Sequence, residues 1–285
     1  MKRTIKSLKT PLRYPGGKSR AVVKLSQFLP DLTQVKEFRE PFVGGGSVAI
    51  EITKRYPDMN IWVNDLYEPL YNFWCEVRDH GYMMFDRLVA MKKFYPDPPE
   101  GSNVYPATRL FQQAKETLNN EKKSSLDRAV AFYVVNKCSF SGLTESSSFS
   151  KQASISNFSM SGINRIPEYQ ELIKNWKITN LDYKKLLTDK KDVFVYLDPP
   201  YDIKDNLYGK KGGLHKKFNH DKFATDCDRF VSPMLISYNS SQLVKDRFKE
   251  WTAAEFAHTY TMRSVGCYNT DQAKRKELVL LNYES

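Results

Sequence analysis

Cysteine is sparse in this 285-residue chain: Cys75, Cys138, Cys227 and Cys267 stand far apart and form no Cys-x-x-Cys pair. That spacing excludes a disulfide-stapled scaffold and predicts a reducing, cytoplasmic setting with four structural thiols. The four histidines (His80, His215, His220, His258) show no ligand spacing, so no metal is expected. Glycine and proline number only 13 and 14, which excludes collagen, while 41% apolar and 13% aromatic residues exclude disorder. Long apolar runs are missing too. Val193 to Leu197 and Leu278 to Leu281 fall far short of the roughly 20 residues that span a bilayer, and no apolar leader follows Met1-Lys2-Arg3. A soluble protein is the expectation.

What is present is positive charge. Lys plus Arg number 44 against 33 Asp plus Glu, a net +11 with a pI near 9.3. Such a field attracts polyanions by releasing the counterions condensed on their phosphates, which favours nucleic acid as partner. Many basic proteins bind no DNA, so charge alone leaves this open. The length suits about two domains, or one large core with an insertion.

Short apolar runs alternate with longer helical patterns, the signature of a sheet covered by helices. A strand from Lys36 to Phe42 leads through glycines into a helix from Ser47 to Arg55 and a strand from Ile61 to Val63, a βαβ unit. From Glu68 to Asn136 strand signals vanish, and Ser124 with Asp127 reads as a cap and first-turn acid opening a helix. The serine-rich stretch from Ser139 to Ser161 reads as exposed loops or a hairpin. Strands resume at Trp176 to Thr179, Val193 to Leu197 and Pro233 to Tyr238, with helical patterns around Lys184 and from Asp221 to Phe230. Trp251 to His258 and Glu277 to Tyr283 are joined too briefly for a crossover helix, so they are expected to pair antiparallel. The class is α/β with a mixed, mainly parallel sheet and a helical insertion.

Asp198-Pro199-Pro200-Tyr201 follows the strand Val193 to Leu197, at a carboxyl end where open α/β sheets build their sites. From average residue usage, roughly one chain in a thousand of this length would carry the tetrapeptide by chance. An exocyclic amine on a nucleobase is a poor nucleophile because its lone pair is delocalised into the ring. The Asp198 carboxylate and the Pro199 carbonyl could accept its two hydrogens and localise that pair, with Pro199 and Pro200 fixing the backbone. Tyr201 offers a flat face for a base withdrawn from a duplex. The plainer alternative is an Asp-Pro turn beside a core tyrosine.

Glu40-Pro41-Phe42-Val43-Gly44-Gly45-Gly46-Ser47 carries a strand through a glycine turn into a helix start, whose unpaired N–H groups suit a carboxylate-bearing cofactor. Asp65, about twenty residues on and just past the next strand, is placed to accept from ribose hydroxyls. An ordinary tight turn remains the alternative. Gly16-Gly17-Lys18-Ser19 lacks the earlier glycine of a P-loop, since Leu12 stands there, so a nucleoside triphosphate is not expected. Tyr14-Pro15-Gly16-Gly17-Lys18 still reads as a functional loop, or else as a turn with a surface lysine.

These segments in this order make the sequence resemble the DNA adenine methyltransferases of the Dam type, the D12 class. The family's aromatic-x-Gly-Gly-Lys is matched by Tyr14 to Lys18, its Pro-Phe-x-Gly-x-Gly-Ser by Pro41 to Ser47, its Asn-Asp by Asn64-Asp65, and its acid-aromatic step by Asp182-Tyr183. The resemblance implies a Rossmann-like S-adenosyl-L-methionine-dependent methyltransferase fold. Residues 1–67 and 168–285 would form the catalytic and cofactor-binding domain, and 68–167 an inserted target-recognition domain. It implies that Tyr14, Lys18, Asp65 and Asp198 touch the cofactor, that Gly44 and Gly46 lie beside its methionine part, that Phe42 and Ser47 of the same turn also bind it, and that Asp182-Tyr183 lies beside its adenine. A helix cap is an equal reading of Asp182. Catalysis would fall to Asp198, Pro199, Pro200 and Tyr201, acting on an adenine flipped out of double-stranded DNA, without a covalent enzyme intermediate.

Asn136 to Leu143 is similar to the family's Asn-Arg-x-x-Phe-Asn-Gly-Leu segment, which leads into a DNA-contacting hairpin, but the chain continues Thr144-Glu145-Ser146 where the family has an arginine and an asparagine. Recognition of GATC is therefore not carried over. Basic stretches from Lys204 to Lys217 and from Arg263 to Lys276 are candidate phosphate contacts, or simply solvated loops. An N4-cytosine methyltransferase and a DNA-binding module without turnover are the competing readings. Oligomeric state and any restriction endonuclease partner are not legible.

Overall fold

A computed structural model describes residues 7–14, 16–142, 147–201, 218–257 and 276–284. The first half carries the short helix α1 (Val22–Leu25), strand β1 (Glu37–Glu40), helix α2 (Ser47–Arg55), strand β2 (Asn60–Asn64) and the long helix α3 (Glu68–Phe94). Helices α4 (Ala107–Leu118), α5 (Ser125–Cys138), α6 (Lys151–Ser156), α7 (Met160–Ile163) and α8 (Ile166–Ile173) follow without a strand. Strands β3 (Lys177–Thr179) and β4 (Val193–Leu197), helix α9 (His220–Asp228), strand β5 (Met234–Asn239), helix α10 (Gln242–Arg247) and strands β6 (Thr252–Ala257) and β7 (Lys276–Leu281) complete the described chain.

The seven strands form one sheet in the order β3-β2-β1-β4-β5-β7-β6. Neighbours from β3 to β5 pair parallel, and β7 pairs antiparallel with both β5 and β6, as the brief connection between the last two segments requires. All five residues of β4 are buried, which explains its unbroken apolar run: a central parallel strand is covered on both faces. The strand order reverses between β1 and β4, so the crevice at their carboxyl ends is the topological switch point. The glycine turn leaves β1 there, and Asp198 leaves β4.

Helix α2 matches the expected span. Ser124 caps α5 by accepting from Asp127 N. One apolar interior runs from sheet residues such as Phe38 and Val63 into Trp74 of α3 and Phe132 of α5. Helix α3 breaks its helical torsions at His80 (φ −133°, ψ 28°). Next to that break, a Cβ on Gly81 would stand 2.8 Å from Gln170 Cβ, so the glycine lets α8 pack close.

Two expectations are corrected. The serine-rich stretch is not a run of exposed loops: Ser150 and Ser159 cap α6 and α7 by accepting from Ala153 N and Gly162 N, and Ser139 and Ser154 are buried. Serines there start helices, which composition alone disguised as loop. A single antiparallel bridge, Ser139 with Phe149, is all that the described residues keep of a hairpin. Around Lys184 only a 3₁₀ turn forms (Tyr183–Leu186), with Asp182 as its cap. Thr144 to Ser146, Cys267, His215, His258 and nearly all of both basic stretches lie outside the described residues. Among the described residues, no helix is long and apolar enough to cross a membrane.

Candidate active site

The crevice opens into a cavity of about 390 Å³. Tyr14, Lys18, Phe42, Gly44, Gly46, Ser47, Asp65, Asp182, Tyr183 and Asp198, all singled out in the sequence, stand on its wall together with Pro200. Pro199 is buried and Tyr201 half-buried, and neither reaches the wall.

The glycine turn is built by steric necessity. Gly44 and Gly46 have φ of +48° and +69°, the left-handed region that side chains resist. A Cβ on Gly44 would stand 2.8 Å from the Tyr14 ring, and one on Gly46 2.7 Å from Trp74. The close approach served by these glycines is to two aromatic rings, Tyr14 on the cavity wall and Trp74 behind the turn. Trp74 Nε1 donates to Gly44 O at 3.0 Å, and one Asp65 oxygen accepts from Gly44 N while the other accepts from Tyr67 N, each at 3.0 Å. Burial pushes the Asp65 carboxyl up to about 6 against these two donors. Beside it, buried Asn64 ties the ends of β1 and β3 together, donating to Pro41 O and Leu181 O and accepting from Leu181 N.

Helix α2 begins on the cavity wall. Its Ala49 N donates to Glu40 Oε2 at 2.8 Å, and the Ser47 hydroxyl shares a 2.9 Å hydrogen bond with Ser19. Burial raises the Glu40 carboxyl well above its ordinary value. At the other end, Phe42 stacks on Tyr183 (centroids 5.5 Å apart, 29° between planes), and Phe218 meets Phe42 edge-on at 5.8 Å. The Tyr183 hydroxyl donates to buried Asp226 at 2.8 Å, which fixes the ring. Asp182 both caps the 3₁₀ turn and stands on the cavity wall, so the two readings of that residue are compatible. The result is a pocket lined by an aromatic cluster, a half-buried acid and a helix N-terminus, apolar walls with a few polar groups.

Lys18 is the unexpected centre of the contacts around Asp198. It is not a surface lysine: its side chain is 3% exposed, and Nζ donates to both Asp198 oxygens (2.7 and 2.9 Å), to Gly16 O (3.1 Å) and to Tyr201 OH (2.7 Å). Burial pushes the Lys18 ammonium down, but the carboxylates of Asp198 and Glu277 outweigh it and raise it overall. Burial also lifts Asp198 to about 6 despite Lys18. Tyr201 lies stacked on Tyr238 (5.9 Å, 23°), whose hydroxyl meets His220 Nδ1.

Glu277, fully buried at the start of β7, accepts from the Tyr201 hydroxyl and stands 3.3 Å from Lys18 Nζ. Sequence reasoning missed it; the available signal was a lone carboxylate heading an otherwise apolar strand. Phe218, Asn219 and Lys222 also reach the cavity wall from just beyond the basic stretch and were not anticipated. None of the three described thiols lines the cavity: Cys75 is half-buried, Cys138 and Cys227 are buried, and burial pushes Cys138 up to about 12.

Comparison with known proteins shows the family. The D12 class N6 adenine-specific DNA methyltransferase family matches residues 14–263. The chain is 22% identical over 284 residues to the Type II methyltransferase M1.LlaDCHI of Lactococcus lactis subsp. cremoris, covering 95% of this chain and 94% of the relative. It is 23% identical over 293 residues to the Type II methyltransferase M.MjaIII of Methanocaldococcus jannaschii, covering 95% and 98%.

Proposed function

Because the chain belongs to the D12 class N6 adenine-specific DNA methyltransferase family, we propose that its cavity holds S-adenosyl-L-methionine and that the turn from Asp198 to Tyr201 receives an adenine flipped out of duplex DNA. The observation that carries this reading is that the cavity's aromatic end, its acid and its helix start are continuous with Asp198. The cavity volume falls within the range of small-molecule sites. Phe42, Tyr183 and Phe218 would sandwich the cofactor's adenine, Asp65 would accept from its ribose, and Gly46 with Ser47 would face its methionine part. When bound, the cofactor supplies an electrophilic methyl group on a cationic sulfonium.

The chain's own residues then do the rest. Asp198 accepts one hydrogen of the adenine amine and the Pro199 carbonyl the other, which localises the nitrogen lone pair for in-line attack. The nitrogen must shed a proton after methylation, and a carboxylate held near 6 can take it. Tyr201 is steadied for base contact by Tyr238 beneath it. Residues 68–167 would contribute target recognition, and a cytoplasmic setting follows from DNA as substrate.

The test is transfer of a labelled methyl group to defined duplex oligonucleotides, followed by nucleoside analysis. N6-methyladenine is the expected product. N4-methylcytosine would overturn the choice of target, and duplex binding without transfer at any cofactor concentration would make the chain a DNA-binding module.

A further inference from the structure

We propose that Glu277 is a positioning residue for methyl transfer, holding Tyr201 by its hydroxyl and taking over the Lys18 ammonium when the target amine engages Asp198. This rests on the function proposed above. The geometry presents a difficulty that Glu277 resolves. Asp198 keeps lone pairs for an incoming amine, but Lys18 Nζ already donates to both of its oxygens, and that cation draws off the negative charge with which the carboxylate would hold the amine. Moving an ammonium off a carboxylate inside a buried site, with no second negative charge in reach, leaves its charge uncompensated, and the neutral Gly16 O and Tyr201 OH do not supply one. Here a second carboxylate stands ready: Nζ is 3.3 Å from Glu277 Oε1, and a shift of about 0.5 Å closes that gap to ordinary charge-assisted length.

Packing gives no reason for an acid at this position. Glu277 is fully buried, and the next four residues of β7, Leu278 to Leu281, are all buried and apolar. Its register opposite Asn239 of β5 and Phe256 of β6 places it at the carboxyl end of β5, beside the Asp198 loop. Tyr201 links the two carboxylates, since its hydroxyl accepts from Lys18 and donates to Glu277. As Lys18 moves toward Glu277, the ammonium stays paired and the Tyr201 ring stays in place.

The charge of Glu277 also bears on Asp198. The groups facing Asp198 are Lys18 from the N-terminal turn, Glu277 from β7, Tyr201 from its own loop, Glu40 from β1 and Tyr196 from β4. Glu277 is one of those that raise the Asp198 carboxyl. Glu277→Gln keeps the shape and a hydrogen-bond acceptor but deletes the charge.

The experiment compares wild type with E277Q and E277D by single-turnover methyl transfer to duplex DNA across pH 5 to 8, with binding of S-adenosylhomocysteine as the folding check. For E277Q the expected result is a rate at saturation lowered by about ten- to a hundredfold, unchanged S-adenosylhomocysteine affinity and an acid limb displaced to lower pH. E277D restores the limb and part of the rate. A wild-type rate and an unmoved limb in E277Q overturn the proposal. If wild type itself leaves DNA unmethylated, the functional reading fails separately. The placement of Glu277 is then read from the ¹⁵N resonance of the Lys18 ammonium: its titration falls in E277Q if Glu277 shares the proton-bearing cluster, and stays put if it does not.

Discussion

Lys18 and Asp198, 180 residues apart in the chain, meet in a bidentate ion pair of 2.7 and 2.9 Å on the wall of the cavity. The pair joins the turn before α1 to the loop after β4, so the cavity wall and the Asp198 turn are tied by one contact. Disturbing either partner has consequences for both.

Asp198→Ala is expected to lower methyl transfer by about a thousandfold or more, because it removes an acceptor that the reacting nitrogen needs. Duplex affinity, measured by fluorescence anisotropy, should stay within a few-fold of wild type, since the substitution leaves the charges of the candidate basic stretches, Lys204 to Lys217 and Arg263 to Lys276, untouched. A variant that retained comparable activity would contradict the role given to this carboxylate.

The pH dependence follows from Asp198. Burial holds its carboxyl near 6 in the folded protein, above the ordinary aspartate value, so the accepting carboxylate is lost as pH falls through about 6. The pH profile of kcat/KM should therefore have an acid limb near 6 that disappears in no variant retaining Asp198. Asp65 is raised to about 6 as well, and both groups bind protons more tightly folded than unfolded. Their joint contribution to stability consequently declines as pH rises from about 4 to 6, which thermal unfolding of the unliganded protein would register.

Asp65→Asn keeps the side-chain shape but replaces one accepting oxygen with a donor. The loss falls on Gly44 N or Tyr67 N as well as on any ribose hydroxyl. Calorimetry with S-adenosylhomocysteine should show affinity weakened by about 1 to 3 kcal/mol, with duplex affinity unaltered. An unchanged dissociation constant would remove Asp65 from the cofactor site.

Gly46→Ala meets both left-handed backbone and the Trp74 ring, so it should cost about 2 to 4 kcal/mol in thermal or urea unfolding. Gly101 also has positive φ, at +77°, but open space around it, and G101A should cost only about 1 kcal/mol. Equal costs would mean that the packing against Trp74 is soft.

Much of the chemistry was legible in the sequence because each part is local. Asp198-Pro199-Pro200-Tyr201 announces itself after a buried strand, and a glycine turn between strand and helix signals a backbone that needs positive φ. What escaped was what only the sheet brings together. Glu277 reaches Lys18 across the sheet from β7, and a lone acid in an apolar strand does not say which cation it faces. The serines of 150–159 were misread for a related reason: a cap and a loop residue look identical until the helix that follows is known. Lys18 was singled out for its motif, but its burial depended on a partner 180 positions away.

Trp74 lies two turns into α3, in the stretch whose sequence looks separable from the sheet, yet its ring is what Gly46 presses against and its indole N–H holds Gly44. Cutting the chain at the start of that helix to exchange the stretch for a relative's would pull the support from under the glycine turn. A chimaera must splice downstream of this tryptophan.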